Sequence, residues 1–240
     1  MTYCVGLALR AGFVLLSDTR TNAGLDNIAT YRKMFTFEDP GDRVIAIMTA
    51  GSLSITQTVM SRLDDANSDP DSADAILRAP TMLKVAEIIG RMLSDVTAEV
   101  SAKMDRMSQG ASASMIVAGQ RSGGPMRLFL VYPEGNFIEA TEDTPFLQIG
   151  EHKYGKPILD RVITMDTSLE DAEKAVLLSM DSTLRSNLSV GMPLDMVVIE
   201  ADAMAVSRRR RIEADDKGFA RISQEWSEAL REAFQKIKPV

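Results

Sequence analysis

The chain reads as an α+β fold, on three observations. Apolar runs of strand length open each half, amphipathic helical segments follow them, and the order strands, two helices, strands makes layers of each type. Residues 2–9 and 13–17 are apolar runs separated by Arg10-Ala11-Gly12, the pattern of a β-hairpin. A turn-rich stretch, 18–27, leads to a third strand at 31–37, and Pro40-Gly41-Asp42 turns the chain into a fourth at 43–49. Ala50-Gly51-Ser52 breaks that strand. Leu53, Ile55, Val59, Met60 and Leu63 then recur with helical spacing to about Asp65, and a loop at 67–72 ends the helix.

Across 81–107, Met82, Val85, Ile88, Ile89, Met92, Val96, Val100, Met104 and Met107 step by threes and fours, which predicts a long amphipathic helix. Its methionines are read as core filler. The second half places strands at 112–119, 126–132 and 136–140, helices at 152–163 and 168–187, strands at 194–201 and 204–212, and a last helix at 217–237. Ser168-Leu169-Glu170-Asp171 has a capping-box pattern, and Pro193 after Gly191 marks the return to strand. No internal repeat or low-complexity linker divides the chain. It reads as one domain over 1–240, with 213–240 a C-terminal helical extension.

Composition removes several functions. Lys plus Arg number 27 against 34 Asp plus Glu, a net charge of −7, which disfavours a nucleic-acid partner. The one basic run, Arg208 to Arg211, reads as a solvated edge or a subunit contact. The longest apolar runs fall far short of the ~20 residues of a spanning helix, so no membrane role is expected. A single cysteine, Cys4, rules out an intrachain disulfide, and with no secretory leader apparent the expected compartment is the cytoplasm. Cys4 reads as core.

The single histidine, His152, lies in a polar segment with no G-x-S-x-G turn before it, and one His with one Cys makes no zinc site. It reads as a surface residue. No phosphate-cradling glycine motif is present, so neither metal nor cofactor is expected.

A strand that opens at Thr2 offers a different nucleophile. Removal of a leading methionine before a small residue would leave Thr2 with a free α-amine, so one residue would carry both hydroxyl and base. An ordinary α-amine titrates around ~7.7–8.0, close to the value that suits a general base at neutral pH. The hydroxyl also needs a fixed cation, and the cation an acid to hold it. Lys33 and Asp18 are the candidates, with Asp18 at the end of the second strand and Lys33 on the strand that follows. Gly51, between a strand and a helix, can aim backbone N–H groups at a developing oxyanion.

These residues together carry a resemblance. Thr2 before an apolar strand, then Ser17-Asp18-Thr19-Arg20-Thr21-Asn22-Ala23-Gly24, then Arg32-Lys33-Met34, then Met48-Thr49-Ala50-Gly51-Ser52, resemble the proteasome β-subunit family of N-terminal nucleophile hydrolases. The opening Met-Thr-Tyr-Cys-Val, the segment 17–24 and the run 150–157 are similar to its bacterial Anbu (ancestral β-subunit) branch, and the likeness covers about residues 2–212.

The resemblance implies a four-layer αββα sandwich and a threonine-type amide or peptide hydrolase. It implies Thr2 as nucleophile, Asp18, Lys33 and Gly51 in the roles above, and Ser189 as an auxiliary group. Thr21 and Asn22 would line the substrate channel and Thr49 the side-chain pocket. It further implies a homo-oligomer, a ring or an open ring, and for protein substrates an unfolding ATPase partner. Ser186, where the family has aspartate, and Glu151, where it has serine, depart from its pattern. They support a second reading, a non-catalytic assembly protein of the same fold; a third is an amidase acting on small amides.

Overall fold

The computed structural model of the chain describes residues 2–22, 28–104 and 111–239. Two strands open it, β1 (Tyr3–Leu9) and β2 (Gly12–Asp18), followed by the short pair β3 (Arg20–Asn22) and β4 (Ile28–Thr30). Next come β5 (Met34–Asp39), β6 (Arg43–Gly51), helix α1 (Leu53–Ser68) and helix α2 (Met82–Met104). The second half contains β7 (Ala113–Arg121), β8 (Arg127–Val131), β9 (Phe137–Glu139), β10 (Phe146–Gly150), α3 (Lys156–Val162), α4 (Leu169–Ser186), β11 (Leu194–Glu200), β12 (Arg208–Ile212) and α5 (Lys217–Lys236).

Among the described residues, all strands but β3 and β4 form two five-stranded sheets, ordered β10-β1-β2-β11-β12 and β5-β6-β7-β8-β9, with every pair antiparallel. Three apolar clusters separate four layers. Val59, Leu63, Ile89 and Leu93 pack α1 and α2 on the second sheet. Val14, Leu16, Val176 and Met180 pack α4 on the first. Cys4, Phe13, Leu15, Met48 and Ile116 fill the space between the sheets. Alternation along β2 explains the arrangement, since Phe13 and Leu15 face one cluster while Val14 and Leu16 face the other. A strand covered on both faces reads as a continuous apolar run, and each large side chain fully buried there contributes about 1.5–3 kcal/mol. This is the αββα sandwich that the resemblance implies.

Three predicted features are corrected. The stretch 18–27 is not turn alone, because β3 and β4 form a small antiparallel sheet of their own with Thr21 opposite Ala29. Residues 146–150, not assigned to any element, form β10, the edge strand beside β1. The helix expected at 152–163 is a 3-10 turn at His152–Tyr154 followed by α3, with Pro157 in its first turn. Met82 and Met92 are core residues of α2, whereas Met107 lies outside the described residues. Ser168 caps α4 as the sequence predicts, accepting the Asp171 backbone N–H at 3.2 Å.

Each arginine from 208 to 211 binds carboxylates of its own chain. Arg208 pairs with Glu173, Arg209 with Glu38, Arg210 with Asp216, and Arg211 with Asp195 and Glu213. The basic run is an edge strand neutralised locally.

Candidate active site

Thr2 stands immediately ahead of β1, and little of it is exposed. Its backbone is clamped from β10: the Glu151 N–H donates to the Thr2 carbonyl at 2.7 Å. A Cβ on Gly150, whose φ is +81°, would lie 1.8 Å from that carbonyl oxygen, so only glycine lets β10 approach so closely.

Asp18, at the end of β2, is fully buried and Lys33 is 5% exposed. The Lys33 Nζ donates to Asp18 Oδ1 at 2.7 Å and to the Arg20 carbonyl at 2.6 Å. An ammonium has three N–H donors, so one remains for a group in front of it. Asp18 also accepts the Tyr3 N–H on Oδ1 at 3.1 Å and the Gly191 N–H on Oδ2 at 3.2 Å. Burial pushes the Asp18 carboxyl above its ordinary range. The Lys33 ammonium, followed by the hydrogen bonds from Lys33, Tyr3 and Gly191, opposes that push.

The route by which the two residues meet differs from the expected one. Lys33 is not on a strand neighbouring β2. It precedes β5 and is tied to the second sheet by the Thr49 N–H, which donates to its carbonyl at 2.9 Å. Asp18 belongs to the first sheet, so the ion pair spans the two sheets.

Thr2, Thr21, Lys33, Thr49, Ala50, Gly51, Leu53 and Thr56 line one cavity of about 290 Å³. The structure thus brings five of the anticipated residues together there, with Asp18 behind Lys33. Gly51 has φ +105°, and a Cβ on it would meet the Ser112 carbonyl oxygen at 2.3 Å, so the bend into α1 requires glycine. The Ser52 N–H donates to the same Ser112 carbonyl at 2.8 Å and is therefore spent within the protein. Leu53 and Thr56 belong to the first turn of α1, so a helix N-terminus, with its partial positive charge, borders the cavity. Sequence reasoning missed these two residues, although the helix start at Leu53 was legible.

Ser189 does not line this cavity. It lies half-buried in the turn after α4, its N–H bonded to Asn187 Oδ1 at 2.9 Å, two residues before the Gly191 that holds Asp18. The backbone of Asn22 is in β3, and its side chain lies outside the described residues. Ser186 ends α4 as an exposed residue.

Tyr3 anchors the next layer. Its hydroxyl sits 2.6 Å from Ser179 Oγ on α4 and accepts from Gln148 Nε2 at 2.6 Å, and burial raises its pKa to about 12, so it stays neutral. Cys4 is fully buried, and burial pushes its thiol well up, which leaves it a core residue. His152 is exposed, with Nδ1 3.1 Å from the Gly150 carbonyl, at the rim of a second cavity of about 640 Å³ that shares Ala50 and Gly51 with the first. Among the described residues, no cluster of three or more His, Cys, Asp or Glu could hold a metal ion, and no helix is long and apolar enough to cross a membrane.

Residues 2–199 match the Proteasome subunit family. No curated protein matches the chain. Among solved structures, Anbu (ancestral beta-subunit) from Yersinia bercovieri is 41% identical, with 99% of this chain and 98% of that one covered at a TM-score of 0.92. An Anbu (Gly-1) mutant from Hyphomicrobium sp. strain MC1 is 48% identical over 100% and 99% of the two chains, again at 0.92. A helical assembly of the Anbu complex from Pseudomonas aeruginosa is 44% identical over 99% and 98%, also at 0.92. A sandwich of this layering, a family match over most of the length and identities above 40% across whole chains place the protein in the proteasome subunit family, in its Anbu branch.

Proposed function

We propose that the chain is a self-assembling threonine-type amide or peptide hydrolase whose nucleophile is Thr2 after Met1 has been removed. The observation that carries this reading is the cavity shared by Thr2, Lys33 and Gly51, backed by a buried carboxylate that fixes the lysine. In the proposed reaction Thr2 Oγ attacks the scissile carbonyl carbon and its proton passes to the Thr2 α-amine. Lys33, with two N–H groups engaged, turns the third toward the hydroxyl and favours its ionised form. Asp18 orients Lys33, and the Gly51 N–H donates to the oxyanion.

Collapse of the tetrahedral intermediate breaks the C–N bond. The leaving amine takes the proton held by the α-amine, and the acyl group remains on Thr2 as an ester. Water, deprotonated by the same amine, then attacks that ester and releases the acid. Thr21, Asn22 and Thr49 are proposed to receive the substrate, and Ser189 to support the Asp18 turn. The larger cavity that shares Ala50 and Gly51 with the first gives room for chain on both sides of the cleaved bond, which favours peptides over small amides. Homo-oligomeric assembly, as a ring or open ring, is part of the proposal and is supported by the helical assembly described for the Pseudomonas aeruginosa relative.

The test combines intact mass with a covalent threonine-directed probe. The purified protein is expected to lack about 131 Da, one methionine residue, and to gain one probe per chain on Thr2. Thr2→Ala is expected to gain none. A chain that keeps Met1, or a Thr2→Ala variant that labels like wild type, would overturn the assignment. Product masses from peptides and from small amides then separate the peptidase from the amidase.

A further inference from the structure

The larger of the two cavities, about 640 Å³, follows one edge of the first sheet. All of β10, residues 146–150, lines it, although Leu147 and Ile149 face the layer between the sheets while Phe146 packs with the outer one. Side chains of both faces border one space only along the edge of a strand. β10 is the end strand of its sheet, and no strand lies beyond it among the described residues. The Ala8 N–H donates to the Pro145 carbonyl at 2.8 Å and the Glu151 N–H to that of Thr2, so the odd-numbered residues from 145 to 151 turn their backbone groups into the sheet. The N–H and C=O groups of Phe146, Gln148 and Gly150 therefore point off the edge, toward the cavity. Of these, the Gly150 carbonyl is met by His152 Nδ1 at 3.1 Å.

One end of this edge meets the candidate active site. Gly150 stands opposite Tyr3 and shares the cavity with Ala50 and Gly51, which also border the cavity of Thr2. The other end, at Phe146, is about 14 Å away at ~3.4 Å per residue. There the Lys156 Nζ lies 5.4 Å from the centre of the Phe146 ring. That ammonium gives one N–H to Asp160 Oδ1 at 2.5 Å, an exposed pair of the kind that contributes little, and two donors remain. Among the described residues that line the cavity there is no Asp or Glu, and Lys156 and His152 are the ones able to carry positive charge. The facing wall is apolar at Ala113, Leu130 and Pro133. An open strand edge that starts beside a nucleophile and ends at a cation is complementary to an extended peptide ending in a carboxylate.

We propose that the chain on the leaving side of the cleaved bond adds to β10 as an antiparallel strand and that Lys156 receives its C-terminal carboxylate. The direction follows from the two ends, since β10 runs toward Thr2 and the leaving chain runs away from it. About four residues of extended chain span the edge. The substrate class is therefore peptides and protein tails cleaved about four residues before their C-terminus. The acyl side keeps the smaller cavity, and Gly51 stands where the two cavities meet. The inference rests on the hydrolase reading above and adds to it a rule for which bond is cut.

Binding and cleavage on the full chain test it together. A decapeptide carrying fluorescein at its N-terminus and a free C-terminus is titrated into the Thr2→Ala chain and followed by anisotropy. Amidation of its C-terminus is expected to weaken binding at least tenfold. Lys156 is exposed, so Lys156→Met leaves the fold intact, and it is expected to make the acid and the amide bind alike. Methylating the backbone nitrogens of the last four peptide residues one at a time is expected to weaken binding at alternate positions only, as pairing with one strand edge requires. Wild-type chain is expected to release a fragment of about four residues from peptides of eight, ten and twelve residues alike. Acid and amide that bind equally to the Thr2→Ala chain, or methylation without alternation, overturn the edge site and leave the hydrolase reading standing if Thr2 still takes the covalent probe. Peptide binding confined to monomeric chain in sedimentation would place a second copy on that edge and overturns it too. A wild-type chain that neither labels nor cleaves overturns the site and the hydrolase reading together.

Discussion

Lys33 has one side chain and two tasks, and its loss separates them. Removing it leaves Asp18 buried with only the backbone N–H groups of Tyr3 and Gly191 as partners. An uncompensated buried charge of this kind costs about 3–5 kcal/mol. Lys33→Ala is therefore expected to shift a urea unfolding midpoint sharply downward. Asp18→Asn together with Lys33→Met, which removes both charges, is expected to recover much of that stability. Probe labelling of Thr2 should fall by about 10²–10⁴ in both variants, the size of effect expected when positioned proton transfer fails. Recovery of stability without recovery of labelling assigns the lysine a chemical role beyond its structural one. Labelling that returns with stability would make the pair merely structural.

Elements were legible in the sequence to the extent that their periodicity was local. The hairpin of β1 and β2, the spacing along α2 and the cap of α4 all depend on residues a few positions apart, and each lies where the spacing predicts. β10 was missed because Phe146 to Gly150 is a five-residue run whose strand character comes from pairing with β1, more than 130 residues earlier. Lys33 was identified by type and order, yet its place on the opposite sheet from Asp18 could not be read from strand spacing. Leu53 and Thr56 reach the site only because α1 starts at its edge.

Caps, by contrast, give a prediction from sequence and structure together. Asp216 caps α5, accepting the Phe219 N–H at 2.8 Å, and also binds Arg210 at 2.8 Å. The hydrogen bond from Arg210 and then that from the Phe219 N–H hold its carboxyl below the ordinary range. A carboxyl depressed in the folded state stabilises above its unfolded value, about 3.9, and loses that contribution as pH falls through the lower folded value. Hydrogen exchange of the amides in the first half of α5, taken relative to the intrinsic rate at each pH, should therefore stay slow at neutral pH and quicken only below about pH 4. Asp216→Ala should quicken it at neutral pH, consistent with an N-cap worth about 1 kcal/mol.

At the scale of the whole molecule, the two sheets are held apart by the side chains between them, and the Asp18–Lys33 pair spans that same gap. Distance between the sheets is thus shared by the core and the chemistry. Gly6 on β1 is one place where the gap is set. A Cβ there would lie 3.0 Å from Leu15 Cδ2, 3.2 Å from Leu128 Cδ1 and 3.4 Å from Ile116 Cγ2, so the opposing sheet packs directly on the missing side chain. Gly6→Leu overfills the space and is expected to cost about 1–3 kcal/mol or more, because close-packed interiors yield by moving apart. Leu93→Ala in α2 empties the outer helix-on-sheet layer and is expected to cost about 2–5 kcal/mol. Stability alone would rank the two variants as similar or Leu93→Ala as worse. Because only Gly6→Leu separates Lys33 from Asp18, it is expected to slow Thr2 labelling under conditions where both variants remain folded, while Leu93→Ala labels like wild type. Equal labelling rates in the two folded variants would show that the site tolerates movement between the sheets, and that the lysine is positioned by β2 and β3 alone.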